Sequence, residues 1–489
     1  MMHGFEKSDR AIVAMKSTNK DLSGPAESME RRAGAKGNPS GQSTRRAQER
    51  GSVSQAVERI RQAAKRNPKQ KLVSLLHHIS VDALHEAYLS LKRKAASGVD
   101  GVTWSTYADG LMDRLSDLHD RVHSGAYRAL PSRRVYIPKA DGSKRPLGIA
   151  ALEDKIVQKA LPDVILVPIY ETEFLGFSYG FRPQRSAHDA LDALAVGIAR
   201  RKVNWILDAD IRGFFDTVHR DWLIRFLEHR IGDKRVIRLI IKWLNAGVME
   251  EGQWSDTGKG TPQGAIVSPV LANIYLHYVF DLWTKVWRSK RAVGDVIVVR
   301  YADDFVVGFQ HRAEAEQYLA DLERRLAEFG LALHPTKTRL IEFGRFAVKD
   351  RKRRGLGKPE TFDFLGMTHY CTVTRKGWFR LGRKPARKRV TRTIRRLWEA
   401  LRKRWHVDKH ENARWLGRVL RGWLTYYAVP GSFRYLNAFV YIVKRLFLRA
   451  LRRRAQKDRT SWEAVDQLSK RYWPKVRILH PWPSQRLVV

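Results

Sequence analysis

Two short runs of β-branched and aromatic residues, 296–299 and 305–307, lie on either side of the four residues 301–304, which read YADD. Such runs separated by a few residues predict a β-hairpin, and the two adjacent carboxylates then lie in its turn. Adjacent acids beside an apolar hairpin need a counter-charge, and Arg300 is placed to supply one. An Asp-Asp turn alone is also an ordinary feature of a protein surface.

A second acidic position makes a catalytic interpretation more specific. Residues 204–216, NWILDADIRGFFD, read as a strand that places Asp210 directly after an apolar run. Three carboxylates on two neighbouring strands are the ligand set of two-metal phosphoryl transfer, and oxygen ligands suit magnesium. The chain has one cysteine, Cys371, which excludes a disulfide framework, a zinc finger and an iron–sulfur cluster.

The charge of the chain indicates a polyanionic partner. Its 489 residues include 92 Lys and Arg against 50 Asp and Glu, a net charge of +42, which favours nucleic acid over an anionic membrane. After residue 344 there are 39 basic and 9 acidic residues. Apolar and aromatic residues recur there at helical spacing, so this part predicts basic amphipathic helices.

The N-terminal part has a different composition. Its first 50 residues are rich in Gly, Ser, Ala and charged residues, which is typical of a disordered leader, and sustained apolar periodicity begins at about Leu72. No secretion signal and no run of about 18 uncharged apolar residues occurs. The sequence therefore predicts a cytoplasmic, nucleic-acid-associated protein that does not bind membranes.

Several ordered blocks resemble one family. The YADD block looks like the YxDD signature of reverse transcriptases, and its surroundings resemble the reverse transcriptase/maturase proteins of bacterial group II introns. The chain ends soon after its basic helices, so the likeness is to the type that lacks an endonuclease. In chain order the blocks are GVDG (98–101), IPKADGSKRPLGI (137–149), SYGFRPQRSAHDAL (178–191), DIRGFFD (210–216), TPQGAIVSPVLANIYLHYVFD (261–281), YADD (301–304), HPTKTRL (334–340), FLG (364–366) and RGWLTYY (421–427).

This resemblance implies an α/β right-hand polymerase with fingers and palm, followed by an all-α basic thumb/maturase domain. The expected organisation is a basic, disordered leader (1–70), reverse transcriptase fingers and palm (71–345), the end of the palm with a connection to the thumb (346–385), and the helical thumb/maturase domain (386–489).

The resemblance also implies roles for individual residues at the catalytic centre. Asp210, Asp303 and Asp304 would be the catalytic residues and would hold two magnesium ions, with the backbone carbonyl of Ile211 helping at one of them. Phe215 would lie under the sugar of the incoming nucleotide and would exclude a 2′-hydroxyl. Its alternative role is ordinary core packing.

The resemblance also implies that several cations and a glutamine elsewhere in these blocks bind the deoxynucleoside triphosphate. Lys139 and Arg145 flank a turn that would form a hairpin presenting both to the phosphates, with Lys144 as the alternative contact. Gln263 would lie beside the nucleotide and the template base. Lys337 would approach the leaving phosphates, or else be a surface lysine.

The function implied is that of an RNA-directed DNA polymerase that extends a DNA or RNA primer on an RNA template. Group II intron RNA and target DNA would be its further partners, in splicing and retrohoming. Two alternatives remain at this stage: a domesticated relative acting in defence or repair, and a non-catalytic RNA-binding splicing factor. Arg182 could contact the template backbone or form a structural ion pair.

Overall fold

The structure, a computed structural model, describes residues 40–138, 144–250, 253–255, 264–454 and 460–487. The strands are β1 (Ser132–Pro138), β2 (Lys144–Ile149), β3 (Trp205–Asp210), β4 (Val248–Glu250), β5 (Gln253–Ser255), β6 (Val296–Tyr301), β7 (Asp304–Phe309), β8 (Arg339–Glu342), β9 (Phe362–Phe364), β10 (Met367–Val373) and β11 (Phe379–Pro385). The helices are α1 (Ser40–Arg66), α2 (Val81–Ser90), α3 (Trp104–Tyr107), α4 (Leu111–Ser124), α5 (Leu152–Leu161), α6 (Val167–Tyr170), α7 (Ala187–Arg200), α8 (Phe214–Thr217), α9 (Arg220–Arg230), α10 (Lys234–Asn245), α11 (Ser268–Leu276), α12 (Leu282–Arg291), α13 (Arg312–Ala327), α14 (Ala347–Arg353), α15 (Arg387–Lys403), α16 (Lys409–Tyr427), α17 (Phe433–Arg452), α18 (Trp462–Tyr472) and α19 (Pro483–Arg486). The short turn Leu76–His78 precedes α2, and the π-helical turns Pro162–Leu166 and His277–Asp281 join α5 to α6 and α11 to α12.

The central sheet has the strand order β6-β7-β3-β8, and every neighbouring pair is antiparallel. The hairpin predicted around residues 301–304 is confirmed as β6 and β7. Val298 and Val307 pack into one apolar core with α13, whereas Ile297 and Val299 pack into a second core with α7 and the C-terminal helices. Because both faces of β6 are covered, its residues 296–299 form a continuous apolar run and do not alternate with polar residues.

A second sheet has the order β2-β1-β4-β5. β1 and β2 are antiparallel, with Pro138 opposite Lys144, so the two strands form the hairpin that the sequence predicted. Residues 139–143, which connect them, lie outside the described residues. β4 joins β1 in parallel, with Ser132 opposite Val248.

Helix α1 corrects the expectation that residues 1–70 form a disordered leader. Its residues Ile60 and Ala64 are buried in the first core. Arg230, itself buried, donates to the carbonyl oxygens of Ala64 (3.1 Å) and Gln70 (2.7 Å) at the end of the helix. A few apolar side chains are enough to pack a strongly charged helix against the core. The composition of the whole segment does not reveal them, because the charged residues outnumber them. The part of the leader before α1 lies outside the described residues.

The C-terminal part combines a small sheet with helices. β9, β10 and β11 form a three-stranded antiparallel sheet, and the described elements after Pro385 are all helices. Basic amphipathic helices were predicted here and are confirmed: Leu397 and Leu401 of α15 and Phe447 of α17 are buried, while most of their basic residues are exposed. Among the described helices, none has the length and apolar character needed to cross a membrane.

Candidate active site

The three predicted carboxylates lie at one end of the central sheet. Asp210 is the last residue of β3, and its register partner is Asp304, the first residue of β7. Asp303 lies in the two-residue turn between β6 and β7. Directly opposed residues on antiparallel strands have Cβ atoms about 4.5 to 5.5 Å apart. The sheet register therefore brings together two acids that are 94 positions apart in the sequence.

Negative charge is concentrated at this end of the sheet. The pKa of Asp304 is raised to about 6. The largest cause is desolvation by the protein around it, followed by the charges of Asp303, Asp210 and Asp208. Part of its surface still reaches solvent. Burial also raises the pKa of Asp208, whose carboxylate accepts a hydrogen bond from Arg339 at 3.1 Å. A cation bound at this site would therefore reduce the repulsion between these carboxylates. Sequence reasoning missed Asp208, which its spacing of two from Asp210 puts on the same face of β3.

Carboxylate oxygens from three residues fit a hard divalent cation such as magnesium. Among the described residues, no group of three or more His, Cys, Asp or Glu side chains is gathered closely enough to form a metal site as it stands. Lys337 supplies a positive charge at this position, because its ammonium lies 2.5 Å from a carboxylate oxygen of Asp210. Lys337 is thus at the site, and its contact with leaving phosphates stays a prediction.

Arg300 does not neutralise the acids of the turn, so that expectation is wrong. Its guanidinium is fully buried and donates to both carboxylate oxygens of Asp281, at 2.7 and 2.5 Å. It also donates to the side chains of Asn273 (3.0 Å) and Ser178 (2.7 Å), and to the carbonyl oxygen of Ala302 (2.9 Å). Arg300 is therefore a positioning residue that holds the turn from behind. The sequence offered one indication of a buried partner, because Arg300 lies inside an apolar strand whose two faces are both covered.

The turn itself has a constrained backbone. Ala302 has a φ of 57°, in the left-handed region that favours glycine. Gly180 packs directly against it, since a Cβ added to Gly180 would lie 2.3 Å from the nitrogen of Ala302. Asn273 donates to the carbonyl oxygen of Gly180 at 2.7 Å. The SYG segment and the helix that carries Asn273 together fix the position of the two turn acids.

We expect Gly180→Ala to displace this turn and lower the rate of DNA synthesis. A forced shift of backbone against backbone costs about 1 to 3 kcal/mol of stability. Gly357→Ala is the matched control, because open space surrounds a Cβ at that position. Primer extension and urea unfolding of both variants would check this, and a Gly180→Ala enzyme as active and stable as the control would contradict it.

Phe215 follows Asp210 closely in the sequence, but in the structure it lies on a helix and not on the strand. β3 ends at Asp210, Gly213 adopts a φ of 55°, and α8 begins at Phe214. Residues 204–216 are therefore not one strand as expected. Phe214 is buried, while Phe215 is half-buried with its ring 5.4 Å from that of Phe214.

Ile211 follows directly after Asp210 and pairs with Leu333 in an isolated bridge. Its backbone therefore lies at the same end of the sheet as the acids. The use of its carbonyl as a metal ligand stays a prediction.

The predicted nucleotide-binding residues are only partly described. Lys139 and Gln263 lie outside the described residues. Arg145 lies on β2 opposite Ile137, and the Lys144 ammonium lies 5.9 Å from the centre of the Tyr136 ring. The nucleotide contacts of Lys139, Arg145 and Gln263 remain predictions.

The structure decides between the two roles that were open for Arg182. Its guanidinium is buried and bonds both carboxylate oxygens of Glu171, at 2.8 and 2.9 Å. It also donates to the carbonyl oxygens of Leu175 and Ser178, each at 2.8 Å. Arg182 therefore forms a structural ion pair.

Comparison with known proteins identifies the family of the chain. Residues 137–369 match the family described as reverse transcriptase (RNA-dependent DNA polymerase). Protein YkfC of Escherichia coli (strain K12) is 36% identical over 310 residues, which are 55% of this chain and 80% of YkfC. The group II intron-encoded protein LtrA of Lactococcus lactis subsp. cremoris is 38% identical over 226 residues, 45% of this chain and 37% of LtrA. The putative COX1/OXI3 intron 1 protein of Saccharomyces cerevisiae is 26% identical over 445 residues, 77% of this chain and 52% of that protein.

The chain belongs to the reverse transcriptase family, as its ordered blocks predicted, and it is an RNA-directed DNA polymerase. Within the family it is of the group II intron reverse transcriptase/maturase type. It spans most of YkfC but only about a third of LtrA.

Proposed function

We propose that this protein extends a DNA or RNA primer with deoxynucleotides on an RNA template, using two magnesium ions held by Asp210, Asp303 and Asp304 with the carbonyl of Ile211. The observation that carries the proposal is the register that sets Asp210 opposite Asp304, with Asp303 in the adjoining turn. The raised pKa of Asp304 supports it, because acids crowded together without a cation repel one another.

In the proposed reaction a primer 3′-hydroxyl attacks the α-phosphate of the nucleotide, and pyrophosphate leaves. The metal ions, when bound, would lower the pKa of the hydroxyl and stabilise the charge on the phosphates. The chain's own carboxylates hold those ions at the strand ends. Lys337 would move from Asp210 to the departing phosphates, while Lys139, Arg145 and Gln263 would hold the nucleotide. Arg300 and Gly180 keep the turn in place throughout.

We expect Phe215→Ala to admit ribonucleotides. An aromatic ring under the sugar excludes a 2′-hydroxyl by contact, and truncation to a methyl group would remove that contact. The measurement is the ratio of kcat/KM for deoxynucleotides to that for ribonucleotides, which we expect to fall at least about tenfold, a difference of about 1.4 kcal/mol. Phe214→Leu serves as the control for loss of core packing. An unchanged ratio in Phe215→Ala would assign Phe215 to the core.

The same proposal gives the chain a right-hand arrangement. Residues 71–345 would form fingers and palm, 346–385 the end of the palm and the connection, and 386–489 a thumb/maturase domain gripping primer–template duplex by its backbone. The density of exposed basic residues on α15 to α18 supports the grip, because phosphate contacts need Lys and Arg. The similarity to LtrA supports a further role, in which this surface binds group II intron RNA and assists splicing and retrohoming into target DNA. One cysteine fits a reducing compartment, the bacterial cytoplasm.

The test combines two assays on the purified chain. We expect DNA synthesis on a primed RNA to require added magnesium and to stop with EDTA. We also expect the protein to accelerate splicing of the group II intron RNA encoded around its gene at a magnesium concentration where the RNA alone is slow. DNA synthesis without any effect on splicing would overturn the maturase role, and absence of DNA synthesis would overturn the polymerase mechanism.

A further inference from the structure

The hairpin of β10 and β11 projects an exposed tryptophan from a basic tip. Trp378 is 72% exposed, in contrast to the buried or half-buried Trp287, Trp398 and Trp423. Hydrogen bonds close the tip: Thr374 donates its backbone N–H to the carbonyl oxygen of Trp378 at 2.8 Å. The Trp378 N–H in turn donates to the Thr374 hydroxyl at 3.2 Å. These bonds fix the backbone that carries the ring. A single exposed apolar side chain is ordinary, so the ring points to a ligand only together with the side chains beside it.

One face of this hairpin continues from the tip as a strip of cations and aromatic rings. The strand register puts Arg380 opposite Thr372, Gly382 opposite Tyr370, and Lys384 opposite Thr368 on that face. The Tyr370 ring lies over the backbone of Gly382, since a Cβ there would be 2.3 Å from a ring carbon. Met367 and His369 on the other face are fully buried, whereas Tyr370, Arg380 and Lys384 on this face are partly exposed.

The strip passes from the hairpin onto the start of α17. The ammonium of Lys384 lies 5.5 Å from the centre of the Tyr370 ring and 6.0 Å from that of Tyr435. Arg434 donates to the Tyr435 hydroxyl at 2.5 Å, and its guanidinium lies 4.6 Å from the Tyr435 ring. Cations and aromatic rings therefore alternate along one surface, which we call the hairpin strip: Trp378, Arg380, Tyr370, Lys384, Tyr435 and Arg434.

The charge around the strip selects the class of ligand. Residues 364–398 contain 11 Lys and Arg and no Asp or Glu, and the nearest acid along the chain is Asp363, whose carboxylate accepts a hydrogen bond from Thr368. Of these basic residues, Arg383 is buried in an ion pair with Asp192, and it does not face solvent. A polyanion complements such a surface, and alternating rings and cations suit a chain that presents both phosphates and flat bases. Duplexes present phosphates but no free base faces.

We propose that the hairpin strip binds unpaired nucleotides of single-stranded nucleic acid, with a base stacked on Trp378 and phosphates on Arg380 and Lys384. This site is separate from the carboxylates of the central sheet. It rests on the proposed function only in that an RNA-dependent polymerase meets single-stranded template and loops of folded RNA. A single-stranded DNA offers the same chemistry, and the experiment distinguishes the two sources.

The test measures affinity of the full chain for three labelled probes of equal length: an oligouridylate RNA, its DNA counterpart, and a blunt RNA duplex. Magnesium and nucleotides are omitted, so an inactive polymerase site does not affect the result. We expect Trp378→Ala to weaken single-strand binding about tenfold, since stacking contributes about 1 to 3 kcal/mol per base. Duplex binding should not change. A loss on RNA alone assigns the strip to RNA, and an equal loss on DNA assigns it to either strand.

Two further variants separate stacking from apolar contact. Trp378→Phe keeps a ring and should bind nearly as the wild type does, whereas Trp378→Leu keeps apolar volume without a ring and should bind as Trp378→Ala does. Val293→Ala, at a side chain 93% exposed elsewhere, is the control for loss of an exposed apolar group. Full affinity in either Trp378→Ala or Trp378→Leu would overturn the proposal, as would an equal loss on the duplex.

The salt dependence of binding tests the roles of Arg380 and Lys384. With Arg380 and Lys384 both replaced by Gln, the dependence of log affinity on log salt for the single strand should become shallower by about 1.4, about 0.7 for each phosphate contact removed. Both side chains are partly exposed, so the fold should persist, and thermal unfolding would check it. An unchanged slope would overturn the assignment of phosphates to these two residues.

Discussion

Replacing Asp303 and Asp304 together with Ala should abolish DNA synthesis on a primed RNA template and leave RNA affinity nearly unchanged. We expect the rate to fall by roughly a thousandfold or more, because stabilisation of transition-state charge is usually the largest single contribution to catalysis. The basic surface that we propose holds RNA lies mainly after residue 344 and does not include this turn. Primer extension and RNA binding, measured on the same preparation, would check both parts.

The fold of this variant should be at least as stable as that of the wild type. The pKa of Asp304 is raised to about 6 in the folded protein, from about 3.8. Its ionised form is therefore disfavoured by folding, and near pH 7 removal of the charge relieves repulsion. Asp216→Asn is the control, an exposed acid on α8 outside the cluster, and it should remain active. Continued synthesis in the double variant, or its loss in the control, would contradict the assignment.

Replacing Arg300 with Met should destabilise the protein by about 3 to 5 kcal/mol, because the carboxylate of Asp281 is left buried without its partner. Both side chains of this pair are fully inaccessible to solvent. DNA synthesis should fall as well, since Arg300 also donates to the carbonyl oxygen of Ala302 in the catalytic turn. Urea unfolding followed by tryptophan fluorescence, together with primer extension below the unfolding transition, would measure the two effects.

A second substitution tests the cause. Combining Arg300→Met with Asp281→Leu removes both charges, so most of the stability should return while the turn remains without its anchor. Activity should then stay low in a protein that is folded again. If Arg300→Met unfolds at the wild-type urea concentration, or if the double variant regains full activity, Arg300 does not position the turn.

The local patterns of the sequence were sufficient for several elements. The β-branched runs around residues 301–304 predicted the β6–β7 hairpin, and helical spacing of apolar residues predicted α15, α16 and α17. These succeed because the period of apolar residues reflects which faces are covered, and that is a local property. Helix α1 was missed for the opposite reason, since Ile60 and Ala64 are buried in a core built largely from later parts of the chain, and Arg230, which donates to the Ala64 carbonyl oxygen, lies more than 160 residues away.

The candidate site shows the same division. The sequence by itself determined the chemistry: three acids in blocks of a recognisable order, an excess of positive charge, and an aromatic residue five positions after Asp210. Only the tertiary structure decided which charges meet. It paired Arg300 with Asp281, Arg182 with Glu171, and Lys337 with Asp210. Residue types record what a side chain can bind, whereas partners distant in sequence are set by the strand register and helix packing that bring them together.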